Sequence, residues 1–388
     1  MGLPKISFII STAGLSLVTA DIQKVPGLVI TGNTVAGKIT IGESKQFFSL
    51  TDATNAGITA ADNPFAYKHV KAFYDFAGNG AELWVMLVSD ATSMTVATDS
   101  TENIASKLLN DAGGRIRVLG VVKKSTGNET ITNGLDADLS TAVVKAQTLA
   151  DQFSEKYYPV RIILSGNKFN GNSQTLKDYK TSNYNKVAVL LGNTDGGAEA
   201  SVGLALGKLA SIPVQRNIGR VQDGPVESIA AYFTNGAKTE TLSSSWDSIH
   251  DKGFIFFRNY VGKAGFYFTD DPTLTSSSDD FHNLANGFVM DKLMLIAYNT
   301  LIEKLDAEIP VTAAGTIHPA IIKSWQNDVE TAVNALMTKQ GELSNFKAYI
   351  DENQDVLTSN KLEVRLSPQP VGYAKNIDVY IGFTTQIS

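Results

Sequence analysis

The sequence predicts an α/β fold, a mixed-sheet body with flanking helices and extended, strand-forming arms at its N- and C-terminal ends. Three observations carry this. Short runs rich in Val, Ile and Leu, of the kind buried on both faces of a sheet, recur at 83–88, 116–122, 160–164 and 187–191. Helical patterns at 65–76, 101–110, 139–157 and 198–210 alternate with them, as in a wound α/β sheet. Both ends keep a two-residue hydrophobic period. Ile6, Phe8 and Ile10 alternate with Ser7, Ile9 and Ser11, while Ile377, Val379, Ile381 and Phe383 alternate with Asp378, Tyr380, Gly382 and Thr384. Chain ends normally fray, so such a pattern needs a sheet to join, the chain's own or a neighbour's exposed edge.

The elements follow in order. A strand-like run at 28–31 leads into Gly32-Asn33-Thr34-Val35-Ala36-Gly37-Lys38, and residues 38–41 read as further alternating strand. The helix at 65–76 opens after Asp62-Asn63-Pro64, a start signal because proline fits the first helical turn. Segments 125–138, 166–185 and 234–245, rich in Gly, Asn, Ser and Thr, read as surface loops. From Phe254 the character changes: 254–257 and 266–268 are aromatic strands joined by a tight connection through Val261-Gly262-Lys263-Ala264-Gly265. Two long helices are expected at 281–307 and 319–338. The first is apolar on most faces (Leu284, Phe288, Leu293, Ile296, Leu301, Leu305) and the second amphipathic, with Ile322, Trp325, Val329, Val333 and Leu336 on its apolar side. Leu362, Val364 and Leu366 then alternate with charged residues, and Pro368 and Pro370 lead to the final strand.

Composition narrows the function classes. At 388 residues and 43% hydrophobic content the chain can bury a substantial core. A formal charge of -6, with no basic cluster longer than Lys123-Lys124, argues against a nucleic-acid footprint. The absence of cysteine removes disulfides, thiolate metal sites and cysteine nucleophiles together. The N-terminus shows no signal-peptide core, and the longest later apolar stretch, 288–298, contains Asp291 and Lys292. A soluble product of the cytoplasm is expected, with no direct membrane insertion.

The search for chemistry is mostly negative, and no catalytic residue, metal or cofactor is expected. Gly32 to Lys38 has the spacing of a phosphate-binding loop, which makes a nucleotide-binding α/β enzyme the alternative reading. Ile39 stands where a Ser or Thr would reach magnesium, and a hairpin turn is the simpler account. His69, His250, His282 and His318 lack ligand spacing. Asp270-Asp271 and Asp279-Asp280 flank turn residues and are expected to cap or solvate loops, and Trp325 to belong to a core.

Phe256-Phe257-Arg258, then Gly262-Lys263-Ala264-Gly265-Phe266-Tyr267-Phe268 with Asp270-Asp271-Pro272, then Asn286-Gly287 and Asp291-Lys292 form one further pattern. With the helix around Trp325 and the strand-like tail to Phe383, this C-terminal third resembles contractile tail sheath proteins of phages and phage-like injection systems. The resemblance implies a structural subunit that polymerises in stacked rings around an inner tube and contracts to drive it through a target envelope. It implies an N-terminal arm at 1–25, an outer α/β domain at 26–250, an inner sheath domain at 251–370 and a C-terminal strand arm at 371–388. Ile6, Phe8, Ile10, Ile377, Val379, Ile381 and Phe383 would be the arm residues, completing sheets in neighbours. Lys323, Asn327 and Glu330, on the polar face of the second long helix, would meet the inner tube. Further implied partners are baseplate and tail-terminator proteins, with assembly in the bacterial cytoplasm and a final place in a phage tail or injection-system particle. A monomeric or dimeric binding protein, its ends paired internally, is the remaining class.

Overall fold

Seven strands build the main sheet because their apolar runs need cover on both faces. The computed structural model describes residues 24–227, 229–312, 315–354, 356–359 and 361–379. In chain order the strands are β1 (Val25–Thr31), β2 (Ser44–Phe47), β3 (Leu83–Val88), β4 (Ile116–Val122), β5 (Arg161–Ser165), β6 (Val187–Leu190) and β7 (Phe254–Ile255). They lie in the spatial order β7-β6-β5-β4-β1-β3-β2. Every neighbouring pair is parallel except β2 with β3. The one register shift between β1 and β4 falls between Val25 and Pro26, where proline has no N–H for the ladder.

Helices cover both faces. They are α1 (Leu50–Asn55), α2 (Pro64–Ala77), α3 (Met94–Thr98), α4 (Ala105–Asp111), α5 (Asp138–Glu155), α6 (Val202–Ala210) and α7 (Trp246–Asp251). Residues of α3, α4 and α5 share one apolar core with Val29, Met86, Leu119, Val121, Ile162 and Val189. On the other face α6 lies over β4, where a Cβ on Gly120 would sit 2.6 Å from Val202 and 2.9 Å from Leu206. There α2 and α6 approach backbone to backbone: a Cβ on Gly203 would be 2.2 Å from the His69 carbonyl oxygen and one on Gly207 2.6 Å from that of Phe73.

The aromatic run at 254–257 divides between two sheets. Phe254 and Ile255 form the edge strand β7, and after the buried Phe256 the chain enters β8 (Phe257–Arg258), antiparallel to β9 (Tyr267–Phe268). Residues 38–41 are no strand: Val35 and Ile39 form an isolated bridge around a turn with Gly37 at φ 71°, so the hairpin reading describes this loop.

Contacts divide the chain into two compact units, Met1–Leu295 and Ile296–Ser388, the border falling inside helix α8 (Leu284–Ile302). In the second unit come α9 (Pro319–Val333), a π-helical turn at Asn334–Thr338, β10 (Leu343–Ile350), the short α10 (Val356–Ser359) and β11 (Val364–Pro370). Strands β10 and β11 form an antiparallel pair whose β10 packs against α9. Its small core gathers Ile317, Ile322 and Ile350 with Ile321, Trp325, Leu362 and Val364.

Candidate assembly interface

The second unit carries a two-stranded sheet, and the described residues 371–379 follow its last strand. Along β10, Leu343, Phe346, Ala348 and Ile350 are buried while Lys347 and Tyr349 face outward, so the strand has one dry face. Among the described residues this sheet has two strands and so two edges without a neighbouring strand, and such edges are templates for another strand. Beyond β11, residues 371–379 join no ladder, and Ile377 and Val379 are 76% and 71% exposed. Large apolar side chains so exposed on a segment outside any ladder suit partner binding. Of the expected arm residues these two are described; Ile6, Phe8, Ile10, Ile381 and Phe383 lie outside the described residues.

The three expected tube-facing residues have different surroundings. Lys323 and Asn327 are exposed one turn apart on α9. Glu330 is partly buried: its Oε1 accepts the Ala348 backbone N–H at 3.0 Å, and Lys347 Nζ lies 3.5 Å from Oε2. Trp325 is half-buried against the small core, as its apolar stripe predicts.

In open α/β sheets ligands bind where connections from neighbouring strands diverge, outside the strands' C-terminal ends. Here that position lies beyond β1 and β4, where the loop of Gly32 to Lys38 also begins. The chain fills it with its own groups. Asn63 accepts the Asn33 N–H at 2.6 Å and donates to the Asn33 and Gly57 carbonyls. Glu199 accepts the Ser125 N–H at 2.7 Å. Glu129 accepts the N–H groups of Thr126 and Gly127 and the hydroxyls of Ser125 and Thr126. Burial works against the Glu129 charge, but these donors outweigh it and hold its pKa down at about 2. The donors of Ser125 to Gly127 thus already hold carboxylates, the Asn33, Val35 and Lys38 N–H groups go to Asn63, Ile39 and Val35, and no helix begins at Ile39, which is fully buried. This geometry does not fit nucleotide binding. Neither Glu129 nor Glu199 stands out in the sequence: Glu129 closes its own turn, and the partner of Glu199 lies 74 positions away.

The remaining ionisable groups do structural work. His69 Nδ1 accepts the N–H of Gly203 in the first turn of α6, a position no side chain of the Ser201 cap serves. Burial pushes the His69 pKa down to about 3. His250 faces Asp270 at 3.3 Å, His282 bonds the Asp279 carbonyl, and His318 caps α9. Among the described residues no group of three or more His, Asp or Glu could hold a metal ion. Of the Asp270-Asp271 pair, Asp271 caps: it accepts the Ala285 N–H at 3.0 Å in the first turn of α8, while Asn217 donates to both carboxylates. Arg161, on β5, was not singled out from the sequence. Its Nε and one terminal nitrogen each lie 2.9 Å from an Asp291 oxygen, and its other terminal nitrogen donates to the Asn185 carbonyl. Gly287 makes room, since a Cβ there would be 2.2 Å from the guanidinium carbon. Two pieces of the sheath-like pattern, Gly287 and Asp291, thus serve one buried ion pair. Among the described residues no helix is long and apolar enough to cross a membrane.

The comparisons agree with this architecture. A family model described as DUF2586, N-terminal domain, matches residues 3–272, and one described as DUF2586, C-terminal domain, matches residues 280–388. No curated protein matches the chain. Among solved structures, the anti-feeding prophage helical sheath in its contracted state is similar at a TM-score of 0.63 and 14% identity, covering 100% of both chains. The contracted sheath complex of the PVC extracellular contractile injection system is similar at 0.59 and 14%, covering 100% of this chain and 98% of that one. A chain of the anti-feeding prophage baseplate is similar at 0.60 and 13%, over 99% and 100%. At such identities the likeness is one of fold, and it extends over the whole length. The chain belongs to the DUF2586 family, with the fold found in those contractile sheath and baseplate assemblies.

Proposed function

We propose that this chain is a structural subunit of a contractile sheath, which polymerises in stacked rings around an inner tube and contracts to drive it through a target envelope. The observation that carries the reading is the end-to-end likeness to a sheath subunit in the contracted state, with no large part of either chain left over. The exposed Ile377 and Val379 support it, because a strand arm given to a neighbour leaves such residues bare in the single chain. A head-to-tail contact of this kind that does not close yields a filament. The filled crevice beyond β1 and β4 favours a structural role over nucleotide chemistry.

In this reading residues 1–25 and 371–388 are arms, 26–250 form the outer domain and 251–370 the inner sheath domain. Lys323 and Asn327, with Glu330 at the margin, belong to the face turned to the inner tube. Baseplate and terminator proteins cap the ends of the assembly, which forms in the bacterial cytoplasm. Electron microscopy of the concentrated full-length protein tests the reading, with a chain truncated after Asn376 beside it. Striated tubes from the full chain and dispersed, folded particles from the truncated one are expected. Equal tube formation by the truncated chain would remove the C-terminal arm from the account, and dispersed particles from both, even with an inner tube present, would overturn the sheath assignment.

A further inference from the structure

We propose that Glu330 is a removable guard on the outer edge of β10, keeping the place of a strand supplied by the C-terminal segment of a second copy, from Ile377 onward. The inference rests on the sheath reading and deepens it. In an antiparallel pair the N–H and C=O of one residue point to the same side, and successive residues alternate sides. The Ala348 N–H goes to Glu330, so Ala348, with Phe346 and Ile350, points away from β11. Their partners Leu366, Pro368 and Val364 likewise point away from β10.

The two edges are therefore closed differently. On the β11 edge Pro368 has no N–H at all, and a strand arriving there finds a donor permanently missing. On the β10 edge the donors exist but are occupied: Phe346 N–H by Asn345 Oδ1 at 2.9 Å, and Ala348 N–H by Glu330 Oε1 at 3.0 Å. Lys347, with a side chain 73% exposed, draws the same carboxylate toward the solvent rim at 3.5 Å. Rotation of the Glu330 side chain, still paired with Lys347, frees the donor without disturbing the core. An edge closed by side chains is protected against chance pairing and still opens to a strand that offers a full ladder.

The occupant follows from the tail. Ile377 and Val379 are exposed, the two-residue period runs on through Ile381 and Phe383, and the chain continues to Ser388. That tail leaves from β11, the strand opposite the β10 edge, and its described residues 371–379 join no ladder of their own chain, so the occupant is taken from a second copy.

The test is binding of a fluorescein-labelled peptide of residues 375–388 to the full-length chain, followed by anisotropy, with circular dichroism confirming the fold of each variant. Glu330→Ala is expected to bind about tenfold tighter than the unsubstituted chain, since the strand no longer competes with a charge-assisted hydrogen bond. Glu330→Gln, which keeps an acceptor, should stay closer to the unsubstituted chain. Ala348→Pro removes the donor itself and should lose binding, while its N–H, pointing away from β11, takes no ladder bond of the folded subunit with it. Unchanged affinity in Glu330→Ala, full affinity in Ala348→Pro, or equal binding of a scrambled peptide would each overturn the proposal. Should Glu330→Ala fail to fold, Ala348→Pro decides alone. Tubes that vanish on truncation after Asn376 while these variants bind as the unsubstituted chain does would leave the sheath reading standing and refute only the guard.

Discussion

At the scale of single residues, the polar groups with the largest energetic stakes are buried and internal. Removing one partner of a buried ion pair strands the other charge, so Asp291→Ala is expected to cost about 3–5 kcal/mol in chemical denaturation. His69 adds a pH dependence. Its folded pKa of about 3 lies below the reference value of 6.5, so the unfolded chain takes up the proton first as pH falls. Its contribution is therefore complete above about pH 6.5 and is lost as pH falls toward 3. Protonation would also remove the acceptor from Gly203 and set a positive charge at the N-terminus of α6. His69→Asn, which can keep an acceptor but does not titrate, is expected to flatten stability against pH across that window in urea titrations. None of this was legible beforehand: a histidine without ligand spacing looks idle in sequence, and Arg161 lies 130 positions from its partner.

At the scale of elements, legibility followed burial. Strands β3 and β4 occupy the expected 83–88 and 116–122, because a run dry on both faces reads as unbroken Val, Ile and Leu. Strand β10 was missed, since its buried side carries only Ala at one position and Ser344-Asn345 interrupts the period beside a register shift. Helix α3 is hard to read because it spans five residues, and beside its local Ser93 cap it takes support from afar, Asp138 accepting the N–H groups of Met94 and Thr95. The aromatic run at 254–257 hid a change of sheet that no local pattern encodes, whereas the alternation of Ile377 and Val379 could be read because exposure does not alter it. The α2–α6 contact makes its own prediction. Gly203→Ala must push the helices apart and is expected to cost about 1–3 kcal/mol, measured by thermal unfolding.

At the scale of the whole molecule, fold and assembly separate. Residues 371–379 lie outside every ladder, so truncation after Asn376 is expected to change unfolding free energy by less than about 1 kcal/mol while removing tube formation; calorimetry and microscopy on one preparation check both. The alternation at the tail was legible, but the groups that occupy the N–H donors of the β10 edge belong to α9 and β10 and meet only on folding. The Glu129 turn has a consequence for the protein among the ions of its surroundings. Its amides already hold a carboxylate, so phosphate and sulfate should find that seat taken and shift the melting temperature no more than chloride does at equal ionic strength. Glu129→Ala vacates the seat, and only that variant should melt higher in phosphate than in chloride.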